Sequence, residues 1–163
     1  MLIIDDASPD GRTHNVLDDW QKRQPGRWRF HFNPVNLGFP ATANLGMSLA
    51  AGDVVLLNSD TIVTPGWLEG LLNCLASGSD IATATPWTNN GEIASIPGFC
   101  KVNPVPPDLT AVADVIRRCG TPAYPELPTA VGFCMAVTRA SIEKIGLFDQ
   151  ALFGRGYGEE NDF

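Results

Sequence analysis

The sequence predicts an α/β protein, a sandwich of helices around a mainly parallel central sheet. Two observations carry that expectation. Short apolar runs alternate with helical periodicity along nearly all of the 163 residues, the β-α-β-α order that builds a sheet covered by helices. Val54-Val55-Leu56-Leu57 is apolar without interruption, as in a strand buried on both faces.

The elements follow in order. Leu2-Ile3-Ile4 is a short strand ending in Asp5-Asp6. Ser8-Pro9-Asp10-Gly11 is a turn able to start a helix, with Val16, Leu17 and Trp20 on one face. Trp28 to Phe32 alternates apolar and polar residues, the pattern of a half-buried strand. Pro40 to Ala51 reads as a helix closed by Gly52, and the apolar strand to Asn58 follows. Thr64-Pro65 opens a helix, because proline suits the first helical position. Trp67, Leu68, Leu71, Leu72 and Leu75 give that helix a broad apolar face. Ile81 to Ala84 is a further strand. From Pro86 to Pro107 asparagine, glycine and proline dominate, a long irregular segment of the kind that is usually functional or disordered. Asp108 begins a helix with Leu109, Val112, Ala113 and Ile116 inward. A second Pro-rich loop, Thr121 to Pro128, leads to the strand Val131 to Val137, and Ser141 to Ile145 forms a short helix ended by Gly146.

Bulk properties narrow the partners. A hydrophobic content of 44% belongs to a soluble globular chain long enough to bury a core. No apolar run approaches membrane-spanning length, and the start lacks the basic and apolar regions of a secretory signal; the unpaired spacing of the cysteines makes a reducing cytoplasm the expected location. A net charge of −7 argues against nucleic acid, whose phosphates select clustered Lys and Arg. It allows a nucleotide ligand, since one metal ion offsets carboxylates locally. The four cysteines, Cys74, Cys100, Cys119 and Cys134, form no Cys-x-x-Cys pair, and with only His14 and His31 beside them a zinc site is disfavoured.

Three acidic clusters stand at strand ends or in a Gly-rich loop: Asp5-Asp6, Asp60, and Glu159-Glu160-Asn161-Asp162. Asp60 falls where the apolar strand surfaces, and open α/β folds bind ligands at that carboxyl edge. A carboxylate there can hold a divalent cation and through it a diphosphate; Asp60 can equally cap a turn with Ser59 and Thr61. The last cluster follows Gly154-Arg155-Gly156-Tyr157-Gly158, a loop able to fold over a ligand. Its acids suit general base catalysis, or a solvated helix start favoured by the dipole. Trp87, Thr88, Asn89 and Asn90, just beyond the fourth strand, read as contacts to a sugar or acceptor, or as core and turn.

Taken together, these clusters resemble a family. Ile4-Asp5-Asp6-Ala7-Ser8-Pro9-Asp10, then Asn33-x-x-Asn36-x-Gly38-Phe39 continuing through Ala41, Asn44 and Gly46, then Ala51-Gly52-Asp53 and Leu57-Asn58-Ser59-Asp60, occur in order. They look like the core of family-2 glycosyltransferases of the Rossmann-like GT-A fold. Gly132-Phe133-Cys134-Met135, Gly146-x-Phe148-Asp149 and Gly158-Glu159-Glu160-Asn161-Asp162-Phe163 resemble the acceptor side of that family. The resemblance implies transfer of a sugar from a nucleotide-diphosphate sugar to an acceptor hydroxyl with inversion, as in polysaccharide biosynthesis. Asp5 and Asp6, with Gly38, would contact the nucleotide. Asn58-Ser59-Asp60 matches the aspartate-x-aspartate motif, so Asp60 would hold Mg²⁺ or Mn²⁺ while Asn58 stands where the family has its first acid. Glu160 would be the general base, with Glu159 before it, a glutamate where the family has aspartate. Trp87, Asn89, Asn90, Gly132 and Phe133 would line the acceptor region, taking a glycan, lipid-linked or protein acceptor, and a location at the inner face of the membrane is compatible with such a partner.

The resemblance further implies a single catalytic domain over 1–163, with residues 1–85 as the nucleotide-sugar half and 86–163 as the acceptor half. It also implies that the family's first strand and C-terminal helices lie outside this sequence, leaving a sheet edge open to self-association. Two other readings compete. A sugar-nucleotide nucleotidyltransferase would need a Gly-rich, basic triphosphate loop near the start, where the chain offers Asp5-Asp6-Ala7-Ser8. A non-catalytic nucleotide-binding domain would keep the pocket without turnover.

Overall fold

A computed structural model describes residues 1–119 and 123–163; the expected loop from Thr121 to Pro128 thus lies partly outside the described residues. The element order is β1 (Leu2–Asp5), α1 (Arg12–Arg23), β2 (Arg29–Phe32), α2 (Phe39–Leu49), β3 (Val54–Leu57), α3 (Trp67–Ala76), β4 (Thr83–Ala84), α4 (Leu109–Arg118), β5 (Cys134–Val137), α5 (Arg139–Ile145) and α6 (Gln150–Phe153), with single 3-10 turns at Glu92–Ala94 and Glu159–Asn161. The chain forms two units: residues 1–50 with 147–162, and residues 51–146 with residue 163.

In the first unit β1 and β2 pair in parallel, from Leu2 opposite Arg29 to Asp5 opposite Phe32. The Asn33 N–H donates to the Asp5 carbonyl at 2.9 Å and carries the ladder one residue further. Helix α1 makes the crossover a parallel pair requires. Of its expected face only Leu17 is buried; Val16 and Trp20 are exposed, although the Trp20 ring lies 5.5 Å from that of Trp28. Helix α2 buries Pro40, Ala43, Asn44 and Met47, the i, i+3, i+4, i+7 stripe of a helix packed on one side. It ends at Ala50, two residues before the glycine expected to close it. Asn44 fastens the returning chain. Its Nδ2 donates to the Phe148 carbonyl and its Oδ1 accepts the Phe148 N–H, each at 2.9 Å.

In the second unit β5 runs antiparallel between β3 and β4. The two outer strands are therefore parallel to each other. All four residues of β5 are buried, as its unbroken apolar run requires. Leu71 and Leu75 of α3 pack with Ala84, Cys134 and Ala136, and Val55, Trp67, Ile81 and Phe133 close the cluster.

Helix α3 begins later than its proline implies. Gly66 adopts a left-handed conformation at φ 81° and caps it, and the Trp67 N–H donates to the Thr64 carbonyl at 3.2 Å, so Thr64-Pro65 form a lead-in turn. Leu68 and Leu72 are exposed, which narrows its buried face to Leu71 and Leu75. Helix α4 starts at its expected cap, with the Asp108 carboxylate accepting the Ala111 N–H at 2.9 Å. Yet no residue of α4 is buried, and Val112 and Ile116 are exposed. Periodicity identifies an apolar face; it does not say that anything covers it. Among the described residues no helix is long and apolar enough to cross a membrane.

Candidate functional site

The first unit gathers two of the three acidic clusters. Asp5 closes β1, is buried, and accepts the Ser8 N–H at 3.2 Å. The turn this closes passes through Ala7 at φ 56°, a left-handed conformation rare for a residue with a side chain. His14 Nε2 lies 3.9 Å from the Asp5 carboxylate, and its ring meets Phe32 edge-on at 4.4 Å.

Asp6 is a hub. Its Oδ1 accepts the Leu37 N–H and the Asn33 side-chain amide, and its Oδ2 accepts the Gly38 N–H, all at 2.8 Å. Its own carbonyl accepts from the Asn36 amide at 2.9 Å. Burial pushes the Asp6 carboxyl up, but bonds from Leu37, Asn33, Gly38 and the Thr42 hydroxyl together outweigh it and hold the group below its usual value. Asn33, Asn36 and Gly38 therefore form one turn wrapped around a single carboxylate. Gly38 itself sits at φ 85°, and a β-carbon built on it would lie 2.7 Å from the Arg155 Cα and 2.9 Å from the Arg155 carbonyl oxygen.

Arg155 belongs to the Gly-rich loop, which thus rests directly on this turn. The Phe39 N–H donates to the Arg155 carbonyl at 3.1 Å. Gly154, Gly156, Tyr157 and Gly158 all have positive φ, and Tyr157 is fully exposed. Backbone held in such regions clusters at ligand clamps and active sites. The 3-10 turn Glu159–Asn161 follows. Glu159 is buried to 4% exposure, and its Oε2 has no hydrogen-bond partner among the described residues. Glu160 next to it is half-buried. A buried carboxylate oxygen without a donor is costly and calls for a partner.

The second unit carries the remaining positions. The Asn58 N–H donates to the Phe133 carbonyl at 2.9 Å, and the Thr61 N–H to the Asn58 carbonyl at 3.2 Å, so Asn58 to Thr61 turn sharply off the end of β3. Asp60 is exposed on that turn and engages no described residue. Trp87 and Asn90 are exposed, while Gly132 and Phe133 are partly buried. The irregular segment is ordered by Asn103 and Ser95, which sequence reading passed over, together with Asn89. Asn103 donates its backbone N–H to the Asn89 carbonyl at 2.8 Å, and its Nδ2 reaches the carbonyls of Gly98 and Lys101 at 3.0 Å. Asn89 returns the bond, its Nδ2 donating to the Asn103 carbonyl at 3.0 Å. Buried Ser95 accepts the Gly91 N–H through Oγ at 3.0 Å. Asn89 thus ties the loop, and the signal that could have found it was the second asparagine at the far end of the same Pro-rich stretch.

Residues 1–146 match the family model for glycosyl transferase family 2. The chain belongs to that family. A solved structure described as GalNAc-T7 with UDP, GalNAc and Mn²⁺ matches this glycosyltransferase domain with a TM-score of 0.71 at 18% identity, over 99% of this chain. The likeness shows a GT-A fold. The chain spans about a third, 33%, of that protein's length. For a family-2 domain the donor set bears on the metal. Among the described residues no three His, Cys, Asp or Glu side chains gather around one point. Asp60 alone suits a cation completed by diphosphate oxygens and water, as Mg²⁺ usually is when it accompanies a phosphorylated substrate.

Proposed function

We propose that this domain transfers a sugar from a nucleoside-diphosphate sugar to an acceptor hydroxyl with inversion, with Glu160 as the general base. The observation that carries this is the Glu159-Glu160 pair. A buried carboxylate with an open acceptor oxygen, adjoining a half-exposed one at the foot of a strained Gly-rich loop, supports a site that receives a hydroxyl group. Glu160 removes the hydroxyl proton, and the freed oxygen attacks the anomeric carbon. The bond from that carbon to the diphosphate breaks, and the nucleoside diphosphate leaves with the electron pair. Glu159 accepts a second hydrogen bond from the acceptor and orients it.

The nucleotide lies at the end of β1, beside Asp5, Asp6 and Gly38. Asp60, with Asn58 beside it, would hold a cation, and Mg²⁺ or Mn²⁺ there would supply positive charge to the departing diphosphate. Trp87 offers an exposed ring for stacking on an acceptor sugar, with Asn90, Gly132 and Phe133 in the same unit; Asn89 serves by holding the loop that follows Trp87. The acceptor is a glycan, lipid-linked or protein hydroxyl, and assembly of a polysaccharide is the setting this chemistry suits.

The test is release of UDP from UDP-sugars in the presence of Mn²⁺, with water as acceptor. Glu160→Gln should lower the rate by about a hundredfold or more, the usual scale for losing a general base, and leave UDP affinity nearly unchanged. Asp60→Asn should weaken UDP binding in Mn²⁺ and have little effect in its absence. Unaltered turnover by Glu160→Gln would end this assignment of the base.

A further inference from the structure

We propose that Asp6 is a positioning residue: its carboxylate locks the Asn36–Gly38 turn against the backbone of Arg155 and so sets where Glu159 and Glu160 stand. The inference rests on the transferase reading above for its consequence, and on geometry alone for the latch.

A carboxylate has about four acceptor positions. Asp6 fills three of them with the N–H groups of Leu37 and Gly38 and the Asn33 amide, all from its own unit. What the three donors achieve is to hold Gly38 at φ 85° and ψ 168°, a conformation that opens its α-carbon to the neighbouring segment. Arg155 occupies that opening so closely that no β-carbon would fit, and the Phe39 N–H bonds to its carbonyl. One residue on, a β-carbon at Gly156 would lie 3.6 Å from Phe39 and Pro40 and 3.9 Å from Glu159 Oε1. The path from Asp6 to the acid pair is thus continuous: carboxylate, turn, Arg155 backbone, Gly156, Glu159. Its central links, Gly38 and Phe39 against Arg155, are main-chain contacts, and Glu159 follows four residues along the same chain, so displacing the turn displaces the loop.

Hydrogen exchange with parallel kinetics tests this. In the wild-type chain the amides of Leu37, Gly38 and Phe39 should open together, with protection equal to within about threefold. Protection of these amides differing by more than tenfold would mean there is no single latch. Asp6→Asn keeps the shape but turns a donor toward the turn, and should speed exchange across residues 155–160 by about tenfold. It should lower the rate of UDP-sugar turnover with KM changed by less than about threefold, the signature of misplaced catalytic groups. Gly38→Ala removes no polar group and should reproduce both effects, since its β-carbon meets Arg155 and strains the turn's backbone at φ 85°; Asp6→Glu should restore neither. An Asp6→Asn chain that binds UDP much more weakly while exchange at 155–160 is unaltered would overturn the proposal and make Asp6 a nucleotide contact. Faster exchange with unaltered turnover would overturn it too. If the wild type releases no UDP from any UDP-sugar, the transferase reading falls while the exchange results still decide the latch.

Discussion

Asn44 directs both ends of one amide at the backbone of Phe148, 104 residues away in sequence. Truncation removes two buried bonds at once. Asn44→Ala should cost about 1–3 kcal/mol, the net worth of two hydrogen bonds, read from urea denaturation. The cysteines give a second test at this scale. Burial pushes the Cys134 thiol up to about 11, and the residue is 1% exposed. At pH 8 a thiol reagent should label exposed Cys100 and Cys119 readily, and Cys134 only after unfolding, because the thiolate is the reactive form. Mass spectrometry of the labelled peptides checks this. Single residues were also where sequence reading was most limited. Asp5 and Asp6 are indistinguishable neighbours in the sequence, yet one bonds a local turn and the other holds a distant loop. That difference depends on which backbone N–H groups arrive in three dimensions, and no spacing encodes it.

Elements were more legible, with consistent errors. Strand β3 and helices α4 and α5 fall close to where apolar runs and capping residues place them, because those signals are local; β5 begins only at Cys134, three residues into its expected run, and α2 ends before Gly52. The direction of β5 was not legible, since antiparallel and parallel strands share the same composition when both faces are covered. Helix α4 shows the other limit: a correct cap and a correct periodicity, with no burial to match. Its stability should therefore rest on local terms more than on packing. Asp108→Ala should weaken it by about 1 kcal/mol, and the loss should appear as faster hydrogen exchange confined to residues 109–118, with the global unfolding midpoint nearly unmoved. The Asn89–Asn103 tie makes the opposite expectation for its loop. Asn103→Ala should loosen the whole stretch 89–103, because one side chain serves Asn89, Gly98 and Lys101 at once.

For the molecule as a whole, acid is the informative variable. Asp6 is held below the usual carboxyl value in the folded chain, so it binds a proton less readily there than when unfolded. Its contribution to stability is complete above the unfolded value, near 4, and is lost as the pH falls through the lower folded value. Urea midpoints should drop more steeply below pH 4 in the wild type than in Asp6→Asn, which has already given up that contribution. The family and fold were legible across the whole length because four short motifs keep their order; the division into units was not, because residues 147–162 return to the first unit through contacts such as Asn44–Phe148 rather than through any change in composition. The knot between Asn89 and Asn103 has one more consequence. The ends of that excursion meet through one backbone bond and side-chain bonds of the two asparagines, while its interior is pinned from outside, Thr88 bonding both the Ala94 carbonyl and the Ile96 N–H; any stretch grafted between the asparagines must therefore keep the buried Ala94-Ser95 step.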